Sequence, residues 1–259
     1  MTNDRQKRAE RAEQMRKQRD KESKRERNVI TLGIIGVVVV LVGLAAFGIQ
    51  QVSSDNERVS DVIAPESATD DFGITYTPED AGVAPADLEE EPVEVELYED
   101  LQCPACQQFE ALSGQFLKDK VASGEITLTY RPFSFLDERG GSPNDYSKRA
   151  NNAAVCLLDA TDITSFLDFQ SFLYANQPTE GRAGPEDEEL IELAEPFGAS
   201  GETFESCVTS GKHIPWIVES KEAGAERGVS GTPTVFIGGE VSEARTPEDL
   251  QEAIDDARA

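Results

Sequence analysis

The sequence predicts an α/β domain carried behind one membrane-spanning helix and an acidic linker. Three observations support that reading. Val93-Glu94-Val95-Glu96-Leu97-Tyr98 alternates in period two, which marks a β-strand with Val93, Val95 and Leu97 on one face. It ends just before Cys103-Pro104-Ala105-Cys106, after which apolar residues take helical spacing at Phe109, Leu112, Phe116 and Leu117; a second strand-like run, Glu125 to Phe133, completes a strand–helix–strand unit and implies a parallel pair. Val29 to Ile49 runs 21 residues without a charge, enough to cross a bilayer core as a helix.

Taken in order, residues 1–28 are polar and basic, with eleven Lys/Arg against six Asp/Glu. That excess on the N-terminal flank of the span at 29–49 predicts a cytoplasmic N-terminus and an extracytoplasmic remainder, in a single-pass protein of the cell membrane. A cleaved signal peptide is the rival reading, and Ala45-Ala46 offers small residues for it. Its apolar region would run about 7–15 residues behind a short basic one, and both are longer here. Residues 50–91, rich in Ser, Asp, Glu, Pro and Ala, read as an acidic extended linker. Within it, Ile74 and Tyr76 are candidates for local packing or an edge strand. The folded domain is expected over 92–259, a size that supports one core. The first 28 residues carry +5 and the span none, so the remainder carries −31 of a net −26. Such a surface favours solubility and excludes nucleic acid as a partner.

The first cysteine of the C-x-x-C lies where a strand gives way to a helix. Backbone N–H groups there lack helical partners and the macrodipole favours negative charge. A thiol so placed ionises readily, and the thiolate is the reactive form. The spacing lets Cys106 close a disulfide with Cys103, so the motif reads as a redox dithiol. Zinc is an alternative, but a closed site needs four N/S ligands. Cys156, Cys207 and the single histidine, His213, are isolated in sequence. No metal or cofactor is expected. Cys156 and Cys207 read as a second, structural disulfide closing a 51-residue loop, worth about 4 kcal/mol in the chain-entropy model; two buried free thiols are the alternative.

Downstream of the second strand, helical spacing dominates from Asn144 to Arg227. Thr234–Ile237 is a short strand, Gly238-Gly239 a hairpin turn signal, and Thr246-Pro247 the opening of a last helix with Leu250, Ile254 and Ala257 inward. His213 reads as a surface or packing residue and Trp216 as core. Phe133 to Leu136 belong to the core or border a client groove.

The order strand, C-x-x-C, helix, strand, helices, x-Pro, strand, turn, strand, helix is specific in combination. With Tyr98-Glu99-Asp100-Leu101-Gln102-Cys103-Pro104-Ala105-Cys106, Tyr130-Arg131-Pro132-Phe133 and Gly231-Thr232-Pro233-Thr234, residues 90–259 resemble the DsbA-like thiol–disulfide oxidoreductases of the thioredoxin superfamily. The resemblance implies a thioredoxin fold split by a helical insertion at about 140–226. It implies Cys103 as exposed nucleophile, Cys106 as buried partner and Pro233 as a cis-proline facing them, supported by Pro104, Ala105 and Thr232. The Thr232 backbone would then be free to pair with an extended client peptide. Ala105 stands where the best-known oxidases carry histidine. The Cys103 pKa is therefore expected below the free value of about 8.5 but above the extreme near 3.5, which makes a weaker oxidant. The implied function is an oxidase that introduces disulfides into reduced exported proteins and is recharged by a separate quinone-linked membrane partner. A reductase or isomerase, and a metal- or client-binding module, are the alternatives.

Overall fold

The computed structural model describes residues 62–88, 90–139 and 142–258. The basic segment 1–28 and the expected membrane span 29–49 lie outside them. Among the described residues no helix is long and apolar enough to cross a membrane.

Five strands form one sheet in the order β1-β3-β2-β4-β5. β2 (Val93–Glu99) and β3 (Ile126–Pro132) are parallel, as a strand–helix–strand unit requires, with Val95 opposite Leu128. β4 (Thr234–Ile237) lies antiparallel to β2 on its other side and turns through Gly238-Gly239 into β5 (Glu240–Ser242). Both turn glycines have positive φ, 58° and 85°, as a two-residue hairpin demands. β1 (Ile74–Tyr76) adds antiparallel to β3.

That last strand corrects the boundary expected at residue 92. The chain is folded onto the domain well before it, and Ile74 is fully buried. The cause is ionic as well as apolar. Arg131, on β3, pairs with Asp71 just ahead of β1 (Nη2–Oδ2 2.6 Å) and with Glu96 of β2. Arg227 grips the same Glu96 with two bonds of 2.7 and 2.8 Å and donates to the Tyr98 hydroxyl at 2.8 Å. Glu96 is thus buried on the other side of β2: burial alone would raise its pKa, but Arg227 and Arg131 outweigh it and hold the carboxyl below its ordinary value.

After the dithiol the chain forms α1 (Pro104–Phe109), a π-helical turn (Glu110–Gly114) and α2 (Gln115–Ala122). The wide turn shifts the helical phase. Phe109 and Leu117 stay buried, whereas Leu112, expected on the same inner stripe, is 55% exposed. Between β3 and β4 stand the helices α3 (Tyr146–Ala160), α4 (Ile163–Ala175), α5 (Asp187–Ala194), α6 (Glu202–Ser210) and α7 (Ile214–Glu226). They fill the interval expected for an insertion. Cys156 of α3 and Cys207 of α6 are joined by a disulfide, with Cα atoms 5.9 Å apart. The chain ends in α8 (Pro247–Arg258), where the Thr246 hydroxyl accepts from the Asp249 N–H at 3.3 Å and Leu250 and Ile254 are buried.

The main core joins Val95, Leu97, Leu128 and Val235 of the sheet to these helices. Tyr98, Phe133, Val229 and Phe236 form a smaller cluster on the opposite face. Trp216 is core, as expected. His213 is packing rather than surface: it is fully buried, its ring nitrogens facing the Ile63 carbonyl at 2.8 Å and the Asp159 carboxylate at 3.1 Å.

Two stability predictions follow from these contacts. Arg131→Ala, which strips a buried partner from Glu96, is expected to cost about 3–5 kcal/mol in urea unfolding, while Asp71→Ala, at the exposed end of the same network, costs about 1 kcal/mol or less. Replacing Cys156 and Cys207 together by Ala is expected to cost about 2–5 kcal/mol and to leave Cys103 and Cys106 titratable.

Candidate active site

β2 delivers the chain to the dithiol through a corner that Asp100 holds in shape. This fully buried carboxylate accepts from the N–H of Gln102 at 2.8 Å, the N–H of Leu136 at 3.0 Å and the Ser147 hydroxyl at 2.5 Å. Burial raises its pKa to about 6 against those three bonds. Glutamine amides tie the corner to the helical insertion. Gln102 Nε2 donates to the Arg182 carbonyl at 2.8 Å, Gln107 Nε2 to Tyr174 at 2.7 Å, and Gln177 Nε2 to the Cys103 carbonyl at 3.0 Å.

Cys103 occupies the N-cap of α1 and Cys106 its first turn, both as thiols. Pro104 and Ala105 are exposed between them. Cys103 is only 7% exposed, less open than a nucleophile was expected to be, and Cys106 is fully buried. The loop at Thr232 covers the first sulfur: Cys103 Sγ donates to the Thr232 carbonyl at 3.4 Å, and the Thr232–Pro233 bond is cis. The strand-end, helix-start residues and the x-Pro loop, 129 positions apart, therefore meet at one sulfur.

The two thiols are driven apart electrically. A hydrogen bond from the Cys106 thiol does most to lower the Cys103 pKa, to about 6; burial opposes it, and Thr232 and the N–H groups of Cys106 and Ala105 add to the lowering. The donor that the Ala105 side chain cannot supply is thus replaced by its own backbone and by the second thiol. Burial pushes the Cys106 thiol well above its ordinary value, reinforced by its bond to Cys103 and by the charge of Glu99. One sulfur is a thiolate near neutral pH while its neighbour keeps its proton.

Two carboxyl groups near the dithiol were not singled out from the sequence. Glu99 continues the inner face of β2 after Val93, Val95 and Leu97, and both its oxygens are buried without a basic partner. Glu110 stands one helical turn beyond Cys106, on the π-turn. Period-two counting from Val93 and i,i+4 counting from Cys106 would have flagged both. The four cysteines do not converge on a zinc site. Sulfurs of Cys156 and Cys207 lie within 4.8 Å of a His213 nitrogen, but those sulfurs are bonded to each other and offer no thiolate.

Alkylation of the reduced protein tests the electrostatics. The Cys103 rate is expected to rise with pH, reach half its plateau near pH 6 and level off by neutrality, with Cys106 unreactive throughout. A midpoint near the free-thiol value of about 8.5 overturns that assignment.

Comparison with known proteins agrees with this geometry. The thioredoxin family matches residues 89–256. Oxidised DsbA of Mycobacterium tuberculosis is 31% identical, with 71% of this chain and 92% of that one covered and a TM-score of 0.59. Reduced DsbG of the same organism, a disulfide bond oxidoreductase, is 30% identical over 70% and 92%, with a TM-score of 0.56. The thiol-disulfide oxidoreductase MdbA of Corynebacterium diphtheriae shares the fold at 20% identity over 75% and 96%, TM-score 0.60. No curated protein matches by sequence. With a split pair of thiols on a strand–helix corner, a cis-proline over them and these relatives, the chain belongs to the thioredoxin family, among its DsbA-like protein disulfide oxidoreductases.

Proposed function

We propose that this protein is a membrane-tethered, extracytoplasmic dithiol oxidase that introduces disulfides into reduced exported proteins through Cys103 and Cys106. The observation that carries the reading is the asymmetry of the pair: Cys103 ionises at about 6 while Cys106 is held as a thiol. A stabilised Cys103 thiolate is a good leaving group and favours the reduced enzyme, which is what a disulfide donor needs. A client thiolate attacks Cys103 Sγ of the oxidised enzyme, the Cys103–Cys106 bond breaks, and a mixed disulfide forms. A second client thiolate attacks the client sulfur and expels Cys103 as thiolate. The client leaves oxidised and the enzyme reduced, and a separate quinone-linked membrane partner restores the disulfide. Thr232 supplies the backbone edge for an extended client segment. A cleft of about 160 Å³ lined by Phe133, Phe135, Ala225 and Val229 with Glu138, Arg139 and Lys221 at its edge, and reaching Ser230 two residues before Thr232, offers such a segment both apolar and charged contacts.

A reductase or isomerase reading draws on the same number. A Cys103 pKa of about 6 lies between the values of about 7 for thioredoxin and about 3.5 for the strongest oxidase. Equilibration of the purified protein with glutathione separates the two. A potential more oxidising than about −180 mV is the expected result, and one near about −270 mV reverses the direction of electron flow. In refolding of a reduced client, Cys103→Ser is expected to abolish disulfide transfer, and Cys106→Ser to trap the mixed disulfide on reaction with a client disulfide. Wild-type transfer by Cys103→Ser removes the dithiol from the reaction.

A further inference from the structure

The disulfide of the inserted helices is not sealed between them. A cleft of about 250 Å³ opens onto it, lined by Cys156 and Asp159 of α3, by Ser206, Cys207 and Ser210 of α6, and by Lys212 among others. Its two ends are unequal: Cys207 is 8% exposed and Cys156 only 1%. A thiolate entering the cleft therefore meets Cys207 first, and the sulfur it expels is the buried one.

Beside that buried sulfur stands an imidazole. Sulfurs of both cysteines lie within 4.8 Å of a His213 ring nitrogen, and the ring itself is fully buried. Nδ1 faces the Ile63 carbonyl at 2.8 Å, and Nε2 faces Asp159 Oδ2 at 3.1 Å. A carbonyl has no proton to give. The Asp159 carboxyl also accepts from Lys212 Nζ at 2.9 Å and from the Glu66 N–H at 3.1 Å. Burial opposes its ionisation, but His213, Lys212 and that N–H outweigh burial and hold its pKa at about 2. Both ring nitrogens thus meet acceptors, and both are satisfied only when each carries a hydrogen, as imidazolium. A cation beside a cysteine stabilises its thiolate, and a stabilised thiolate leaves faster.

Contacts that do not depend on the disulfide also hold the helices together. Asn152 of α3 donates through Nδ2 to the Val208 carbonyl of α6 at 3.1 Å, and its Oδ1 accepts the His213 N–H at 2.9 Å. Val155 and Leu157 of α3 share the core with Phe204 and Val208 of α6. The bond can therefore open within a folded chain.

We propose that Cys156–Cys207 is a second thiol-exchange site, at which a low-molecular-weight thiol enters this cleft, attacks Cys207 and expels Cys156 toward His213. The incoming thiolate bonds to Cys207 Sγ, the Cys156–Cys207 bond breaks, and its electron pair leaves on Cys156 Sγ. The product is a mixed disulfide on Cys207 and a thiol at Cys156. A second small thiolate then attacks the small-thiol sulfur of that mixed disulfide and releases Cys207. Two small thiols end as their disulfide, two cysteines end reduced, and the two thiol protons pass to the cysteines. Neither Cys103 nor Cys106 takes part, so the site stands or falls apart from the dithiol reading.

The test uses full-length protein carrying Cys103→Ser and Cys106→Ser, in which only this pair can exchange. It is incubated with reduced glutathione near neutral pH without denaturant, quenched with acid and mapped by mass spectrometry, while circular dichroism follows the fold. The expected first product carries glutathione on Cys207 and a free thiol at Cys156, and forms at a rate proportional to glutathione. Glutathione on Cys156 overturns the proposal, and so does a bond that opens only once urea unfolds the chain. His213→Gln, added to the same protein, reads the cation. Opening is expected to slow about tenfold and the equilibrium constant for reduction to fall by a similar factor. A histidine that only packs would give the opposite sign, because loosened helices open faster. An unchanged or faster opening in a folded His213→Gln chain therefore removes the imidazolium from the mechanism, and the labelling pattern, which needs no change at His213, decides the site by itself.

Discussion

Three parts of the chain that have no reason to meet in sequence are tied to one carboxylate. Asp100 takes hydrogen bonds from the corner leading to Cys103, from the loop after β3 at Leu136, and from Ser147 at the start of the inserted helices. The sheet half of the fold and its helical insertion are joined at that point, so the position of the dithiol depends on both. The glutamines at 102, 107 and 177 repeat the arrangement at larger radius, each anchoring a carbonyl across the same seam. Buried polar groups of this kind are costly unless satisfied. Asp100 is satisfied three times over, and its geometry is correspondingly fixed.

β2 separates two electrostatic problems by its pleat. Its odd-numbered side chains run Val93, Val95, Leu97 and end in Glu99 beside the dithiol. Its even-numbered ones include Glu96 and Tyr98, which Arg131 and Arg227 cover from the other face. The two acids are in opposite states for that reason: Glu96 has two guanidinium partners and stays ionised, whereas Glu99 has a second carboxyl for a neighbour and holds a proton. The strand thus buries one acid on each side, Glu96 ionised between its guanidinium partners and Glu99 protonated, and leaves Glu94 to solvent.

Local chemistry made much of this legible in advance. The strand period of 93–98, the thiols at a strand–helix corner, the Gly238-Gly239 turn and the Thr246 cap are short-range signals, and each lies where it was read. Long-range pairing was not legible in the same way. β1 is three residues long and is held by pairing with β3, by Ile74 in the core and by Asp71 meeting Arg131, sixty positions away, so a run of acids and small residues reads locally as free linker. The apolar spacing around Leu112 assumed a regular helix, and the π-turn broke that assumption by one step. At the site, the cysteines and the cis-proline were marked by their motifs. Glu99 and Glu110 carry no motif, because a glutamate in a strand or helix is ordinarily a solvated residue.

The bond between Cys156 and Cys207 has a bearing on how the molecule comes into being. A protein that trades in disulfides is itself a product of the trade, since two electrons must leave the chain before its inserted helices are stapled. Cys156 and Cys207 are bonded to each other, whereas Cys103 and Cys106, earlier in the chain, stand as thiols. Both thiols of the motif are synthesised before either member of the bonded pair. Maturation of a new copy therefore needs an oxidant that takes two electrons from Cys156 and Cys207.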